Sequence, residues 1–215
     1  MLQLGCPPLD DLLGDGIENG IITKLYGEAG TGKTNILLQA SRECVKNGRK
    51  VVYIDTEGVS LERLRQMCTP SQYKTVLANM FFFHPSSFNG QEQKIVEASK
   101  RKDIGLLVID TINMFYRMEI ENDKEGAMRS FIRQMTRLQM AAREYDIAVV
   151  IAEQVYTDKN GEIKPFTHRD TDHMVKTILK LEKRGIGERK ATLMKHRFQP
   201  EGKTAVFRIS HRGLE

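Results

Sequence analysis

The chain has 215 residues, 40% of them hydrophobic and 28% charged, with a formal net charge of +5. That length suits one sizeable α/β domain, and no run of about eighteen apolar residues is present to form a transmembrane helix. The mildly basic balance is compatible with an acidic partner, and the widely spaced Cys6, Cys44 and Cys68 form no CxxC or His–Cys cluster, so they read as reduced thiols of a cytoplasmic protein.

The N-terminus MLQLGCPPLDD lacks a basic n-region and does not read as a signal peptide. PLDDLL (8–13) predicts a short helix closed by the glycines of GDGIENG. ITKLY (22–26) reads as a buried strand, and Lys33 to Lys46 as a helix ended by Asn47-Gly48. VVYID (51–55) is a second strand. VSLERLRQM (59–67) has helical spacing and stops before Pro70. NMFFF (79–83) is a short strand and QEQKIVEASK (91–100) a helix with a polar face. IGLLVID (104–110) is the strongest strand signal.

Residues 123–145 predict a long amphipathic helix, because Met128, Phe131, Ile132, Met135, Leu138 and Ala142 recur at helical spacing. IAVVIA (147–152) is another continuous apolar strand. Apolar strands alternating with helices imply a parallel sheet buried on both faces. After residue 172, HMVKTILKLEKR, RKATLMKHRF and KTAVFRIS alternate apolar and polar residues around the turns GIGE and QPEGK. They predict two consecutive hairpins that extend the sheet in antiparallel fashion.

The chemistry gathers at predicted strand ends. Residues 27–35 read GEAGTGKTN (Gly27, Glu28, Ala29, Gly30, Thr31, Gly32, Lys33, Thr34, Asn35), which contains the full Walker A pattern between a strand and a helix. Glycines let successive backbone N–H groups turn onto phosphates, and the helix N-terminus adds its positive dipole end. Lys33 would neutralise phosphate oxygens and Thr34 would ligate Mg²⁺. Asp110, at the end of LLVID, fits the Walker B aspartate of that Mg²⁺ site. From position alone, Glu57 is either a carboxylate that activates the attacking water or a solvated loop acid. Gln154 is either a γ-phosphate sensor or a polar strand terminus. Lys195 and Arg197 would share one strand face, facing phosphates or solvent.

Two segments leave the same predicted edge. Asn113–Arg129 carries Tyr116, Arg117 and Arg129; Val155–Asp172 carries Tyr156, Lys159, Lys164 and Arg169. Cations with interleaved aromatics suit single-stranded DNA, and their interspersed acids equally suit solvated loops.

Taken together, GCPPLDDLLGDGIENGIITKLYGEAGTGKTN, VVYIDTEG, LLVIDTI and IAVVIAEQV resemble the ATPase core of the RecA/RadA recombinase superfamily over nearly the whole chain. The opening is similar to archaeal RadA. The core starts within a few residues of Met1, and no Phe-x-x-Ala polymerisation motif occurs, so the chain resembles the RadB family of short RadA paralogues.

This resemblance implies a single RecA-like P-loop NTPase core over 1–215, without an N-terminal helix-hairpin-helix domain. The expected fold is α/β, a mostly parallel twisted sheet with helices on both faces and a C-terminal antiparallel extension. The family implies a recombination accessory factor that binds ATP, Mg²⁺ and DNA, hydrolyses ATP weakly and works beside a RadA-type recombinase, with a homo-oligomer as a further expectation. It implies that Glu57 activates water, that Gln154 couples nucleotide to the second DNA loop, and that Lys195 and Arg197 resemble a pair acting in trans on a neighbour's nucleotide. Two alternatives stand beside it: a strand-exchange filament, disfavoured by the missing motif and a second loop less glycine-rich than RadA's, and a KaiC-like nucleotide switch that needs no DNA.

Overall fold

The computed structural model describes residues 1–158, 163–165 and 171–215. In chain order the elements are α1 (Pro7–Leu13), β1 (Ile22–Tyr26), α2 (Lys33–Lys46), β2 (Lys50–Asp55), α3 (Leu61–Gln66), α4 (Pro70–Ala78), β3 (Met80–Phe83), α5 (Phe88–Ala98), β4 (Ile104–Asp110), α6 (Met114–Asn122), α7 (Lys124–Tyr145), β5 (Ala148–Glu153), β6 (Val155–Thr157), β7 (Ile163–Pro165), β8 (Val175–Lys183), β9 (Glu188–Lys195), β10 (Thr204–Ser210) and β11 (Gly213–Leu214). Among the described residues, nine strands form one sheet in the order β11-β10-β9-β8-β1-β5-β4-β2-β3. Pairing is parallel from β8 to β3 and antiparallel from β8 to β11. The short β6–β7 ribbon stands apart.

Period-two alternation divides the core between the two faces. Val51, Tyr53, Leu106 and Val108 pack with Ile36, Leu37 and Ala40 of α2. Val52, Ile54, Leu107 and Ile109 pack with Ile95 of α5 and Phe131, Met135 and Leu138 of α7. β1 and β5 are buried at every position, as central strands covered on both faces must be. The order β1-β5-β4-β2 brings the carboxyl ends of these strands together, the usual ligand edge of an open α/β sheet.

The expected strands, most of the helices and the C-terminal hairpins form, with ends shifted by a residue or more. Three expectations need correction. The first part of the segment 113–129, expected as a loop, is helical: α6 follows Asn113, and α7, expected over 123–145, starts after Asp123, whose side chain accepts from Gly126 N at 2.9 Å. α6 fully buries only Tyr116, with Phe115 and Ile120 partly buried against the same core, and its nine residues are too few for their spacing to stand out in the sequence. Pro70, expected as a stop, also begins α4, behind a capping box between Thr69 and Gln72. Finally, β9 ends at Lys195, and His196 Nδ1 accepts from Phe198 N at 3.3 Å and Gln199 N at 3.2 Å as the chain turns. The shared strand face expected for Lys195 and Arg197 therefore does not form. No helix among the described residues is long and apolar enough to cross a membrane.

Candidate nucleotide site at the strand edge

β1 runs into the loop 27–32, and α2 starts at Lys33. Gly27 is packed against β8: a Cβ there would lie 2.3 Å from the Leu181 carbonyl oxygen and 2.9 Å from Thr31 Oγ1, so the backbone tolerates no side chain. Gly32, with φ 102°, precedes α2, whose first turn has no side-chain cap and no acidic residue. Its N–H groups and dipole end are left for an anion. The Thr31 hydroxyl donates to the Glu28 carbonyl at 2.8 Å and braces the loop. Lys33 Nζ folds over it, donating to the carbonyls of Gly27 at 2.7 Å and Glu28 at 3.1 Å. Burial holds the Lys33 ammonium below the ordinary lysine value, while Glu57 and Asp110 pull the other way.

Two strands away, Asp110 is 2% exposed. Burial pushes its carboxyl up to about 6, helped by Glu57 and Asp55 and opposed by the hydroxyls of Tyr53 and Thr34. Tyr53 donates to Asp110 Oδ2 at 2.8 Å, but Oδ1 is buried with no hydrogen-bond partner among the described residues. An orphaned carboxylate oxygen beside the Thr34 hydroxyl fits the oxygen shell of a hard divalent cation.

Glu57 reaches the same edge because the ends of β2 and β4 are tied together. Thr56 N donates to the Asp110 carbonyl at 2.9 Å, and Thr111 N donates to Thr56 Oγ1 at 2.8 Å. Asp55 then turns the chain by accepting from Glu57 N at 3.1 Å, Gly58 N at 2.8 Å and Val59 N at 2.7 Å. Glu57 Oε1 accepts from Thr111 Oγ1 at 2.8 Å and from Gln154 Nε2 at 2.6 Å. Gln154 is itself clamped: buried Asn113 accepts from its N–H and donates to its carbonyl, each at 2.9 Å. Arg117 Nη1 donates to Gln154 Oε1 at 2.5 Å. Gly27, Glu28, Ala29, Lys33, Glu57, Arg117, Gln154 and Val155 line one cavity of about 400 Å³.

The family model of Rad51 matches residues 1–215. The chain belongs to the Rad51 family. A "DNA repair and recombination protein RadB" from Methanococcoides burtonii is 41% identical to this Rad51-family chain, covering 99% of it and 96% of that relative. A protein of the same description from Archaeoglobus fulgidus is 38% identical, covering 100% of this chain and 98% of that one. A solved structure described as the RadB recombinase superposes with a TM-score of 0.88 at 37% identity, over 100% of this chain and 98% of that one. The RecA-like architecture implied by the resemblance is thus the architecture this chain shares with its relatives.

Other expected site residues of this Rad51-family chain lie elsewhere. Asn35 Oδ1 accepts from Arg63 Nε at 2.6 Å, and Arg63 also donates to the Ser210 carbonyl, so this interaction ties Asn35 to α3 and β10. Lys195 Nζ donates to the Asp172 carbonyl at 2.7 Å, whereas Arg197 pairs with Glu18 at 2.5 Å. Tyr116 is 2% exposed, with its ring 4.7 Å from Phe131 and 5.9 Å from Phe88, and it offers no face to a base. Arg129 pairs along α7 with Glu125 at 3.3 Å, and Lys164 pairs with Asp158. Lys159 and Arg169 lie outside the described residues.

Sequence reasoning missed Tyr53, Asp55 and Asn113 as holders of the site. It also missed Arg189, whose Nε donates to the Gly30 carbonyl at 2.9 Å. Buried Lys24 was missed as well; it pairs with Glu153 at 3.5 Å and with Asp172, joining the two ends of the segment after β5. A charged residue in the middle of the apolar strand ITKLY was the available signal for Lys24.

Proposed function

We propose that this chain is an ATP-binding, DNA-binding accessory protein of homologous recombination that hydrolyses ATP slowly with Mg²⁺. The observation that carries the reading is the convergence of Lys33, Glu57, Asp110 and Gln154 on the edge from which the segment 155–172 leaves, in a Rad51-family chain. DNA and a RadA-type recombinase are the partners this reading implies.

Lys33 exchanges its two carbonyl acceptors for the β- and γ-phosphate oxygens, a gain because an anionic acceptor makes a stronger bond than a neutral one. The N–H groups of the loop and of the first turn of α2 hold the remaining oxygens. Thr34 and Asp110 would hold Mg²⁺. When bound, that ion would offset negative charge on the phosphate oxygens. Glu57, tethered by Thr111 and Gln154, orients a water and takes its proton. The water oxygen bonds to the γ-phosphorus, the bond from that phosphorus to the β,γ-bridging oxygen breaks, and the electron pair leaves with ADP. The proton passes from Glu57 to the released phosphate or to solvent.

Lys33→Ala is expected to weaken Mg-ATP binding by about a hundredfold or more while far-ultraviolet circular dichroism stays unchanged. Titration with a fluorescent ATP analogue measures this. Wild-type affinity in a folded Lys33→Ala protein would sink the site.

A further inference from the structure

Arg117 belongs by sequence to a candidate DNA loop, yet the structure puts it on the nucleotide cavity. It lies on the first turn of α6, where its N–H donates to the Asn113 carbonyl at 3.1 Å. Asn113 is the same buried residue that exchanges two hydrogen bonds with the Gln154 backbone. The start of α6 and the end of β5 are therefore locked together, and Arg117 moves with Gln154.

The Gln154 amide has only one workable orientation. Its carbonyl faces the Arg117 guanidinium, a group with donors only, and its NH₂ faces the Glu57 carboxylate, a group with acceptors only. Rotating the amide by half a turn would set donor against donor and acceptor against acceptor. One neutral amide thus holds a permanent cation at one end and the water-activating carboxylate at the other.

We propose that Arg117 is the γ-phosphate cation of this site, acting in cis, with Gln154 as the residue that positions it. The inference rests on the nucleotide reading above. The cavity is lined by two acids, Glu28 and Glu57, and two cations, Lys33 and Arg117. Lys33 serves the β,γ bridge from the loop side, and Arg117 approaches from the Glu57 side, where the γ-phosphate meets water. A γ-phosphate displaces the Gln154 carbonyl as acceptor, because a planar guanidinium binds a phosphate with two charge-assisted bonds and a neutral amide with one. Arg117 then stabilises the charge on the γ-oxygens as the bridging bond breaks. ADP has no γ-phosphate and leaves the Arg117–Gln154 bond as it is. Because this cation comes from the same protomer, turnover per protomer does not depend on assembly.

The test compares Arg117→Ala, Arg117→Lys and Lys33→Ala for the binding of Mg-ATPγS, Mg-ADP and single-stranded DNA, and for the hydrolysis rate across protein concentration. Arg117→Ala should bind ATPγS about tenfold more weakly, keep ADP affinity within about twofold and lower kcat about a hundredfold. Arg117→Lys, which keeps the charge and loses the fork, should fall between. An unchanged ratio of ATPγS to ADP affinity in Arg117→Ala would overturn the proposal. If DNA binding were lost instead, Arg117 would be a DNA contact and the proposal would likewise fail. Lys33→Ala separates the two readings. Loss of both nucleotides there, beside an unchanged ratio in Arg117→Ala, would reject Arg117 alone; retention of both would reject the nucleotide site and Arg117 with it.

Discussion

Residues 113–129 and 155–172 leave neighbouring strands at one edge, and both carry cations with interleaved aromatics. After β4 the chain coils at once into α6, Tyr116 turns into the core against Phe88 and Phe131, and Arg117 turns to the nucleotide cavity. After β5 the chain makes the ribbon β6–β7, where Tyr156 is 41% exposed and Lys164 pairs with Asp158. The ends of this second segment are joined through Lys24, Glu153 and Asp172. Equal composition therefore hides unequal placement: the first segment packs into the core and lines the candidate nucleotide cavity, and the second is the better candidate for a DNA surface. Composition alone does not say which way a ring faces.

The largest effect that sharpens this contrast is on stability. Tyr116→Ala removes a buried ring packed against two others and should cost about 4 kcal/mol of unfolding free energy, read by urea denaturation. In the fraction that stays folded, affinity for single-stranded DNA should match the wild type. A stable variant with weakened DNA binding would return Tyr116 to the DNA surface.

The strand end that launches the first segment has its own signature. The Asp110 carboxyl titrates near 6 in the folded protein, above its ordinary value of 3.8. Between those values the native state holds a proton that the unfolded chain has released. Stability in the absence of metal therefore falls as pH rises from about 4 to about 6, by on the order of 3 kcal/mol, and then levels. Mg²⁺ favours the ionised carboxylate, so it should stabilise above pH 6 and lose that effect below pH 5. Urea unfolding of wild type and Asp110→Asn across this range, with and without Mg²⁺, reads both effects. Identical pH profiles in the two proteins would refute the assignment.

The smallest effect concerns the second segment. Tyr156→Ala should leave the unfolding midpoint nearly unchanged and weaken single-stranded DNA binding by about 1 to 2 kcal/mol, the worth of one stacked base. Fluorescence anisotropy at low salt measures it. Unaltered affinity would remove Tyr156 from the interface and leave the contrast resting on the first segment alone.

These outcomes follow how much of the molecule was legible in the sequence. Apart from the two-residue β11, the strands of the main sheet announce themselves by apolar runs or alternation and the helices α2, α5 and α7 by period, and GEAGTGKTN by chemistry that is local to nine residues. Asp110, Glu57 and Gln154 could be expected at one edge because strand ends share it, and the structure brings them together there. Their holders could not: Tyr53 meets Asp110 and Asn113 meets Gln154 only across the sheet. Arg189 of β9 reaches Gly30 because β9 pairs with β8 and β8 lies beside β1, neighbour relations that a local pattern does not contain. Arg117 shows the limit most plainly. It sits four residues beyond Asn113 in a short helix, and only the helical turn brings it back to Gln154.

Gln154 stands between the candidate nucleotide edge and the segment proposed to meet DNA, and one measurement addresses that link directly. The rate of Mg-ATP hydrolysis per protomer, followed with and without single-stranded DNA across a range of protein concentration, should be slow, independent of concentration and raised by DNA. A rate that ignores DNA, from a protein that binds no single-stranded DNA at low salt, would contradict it.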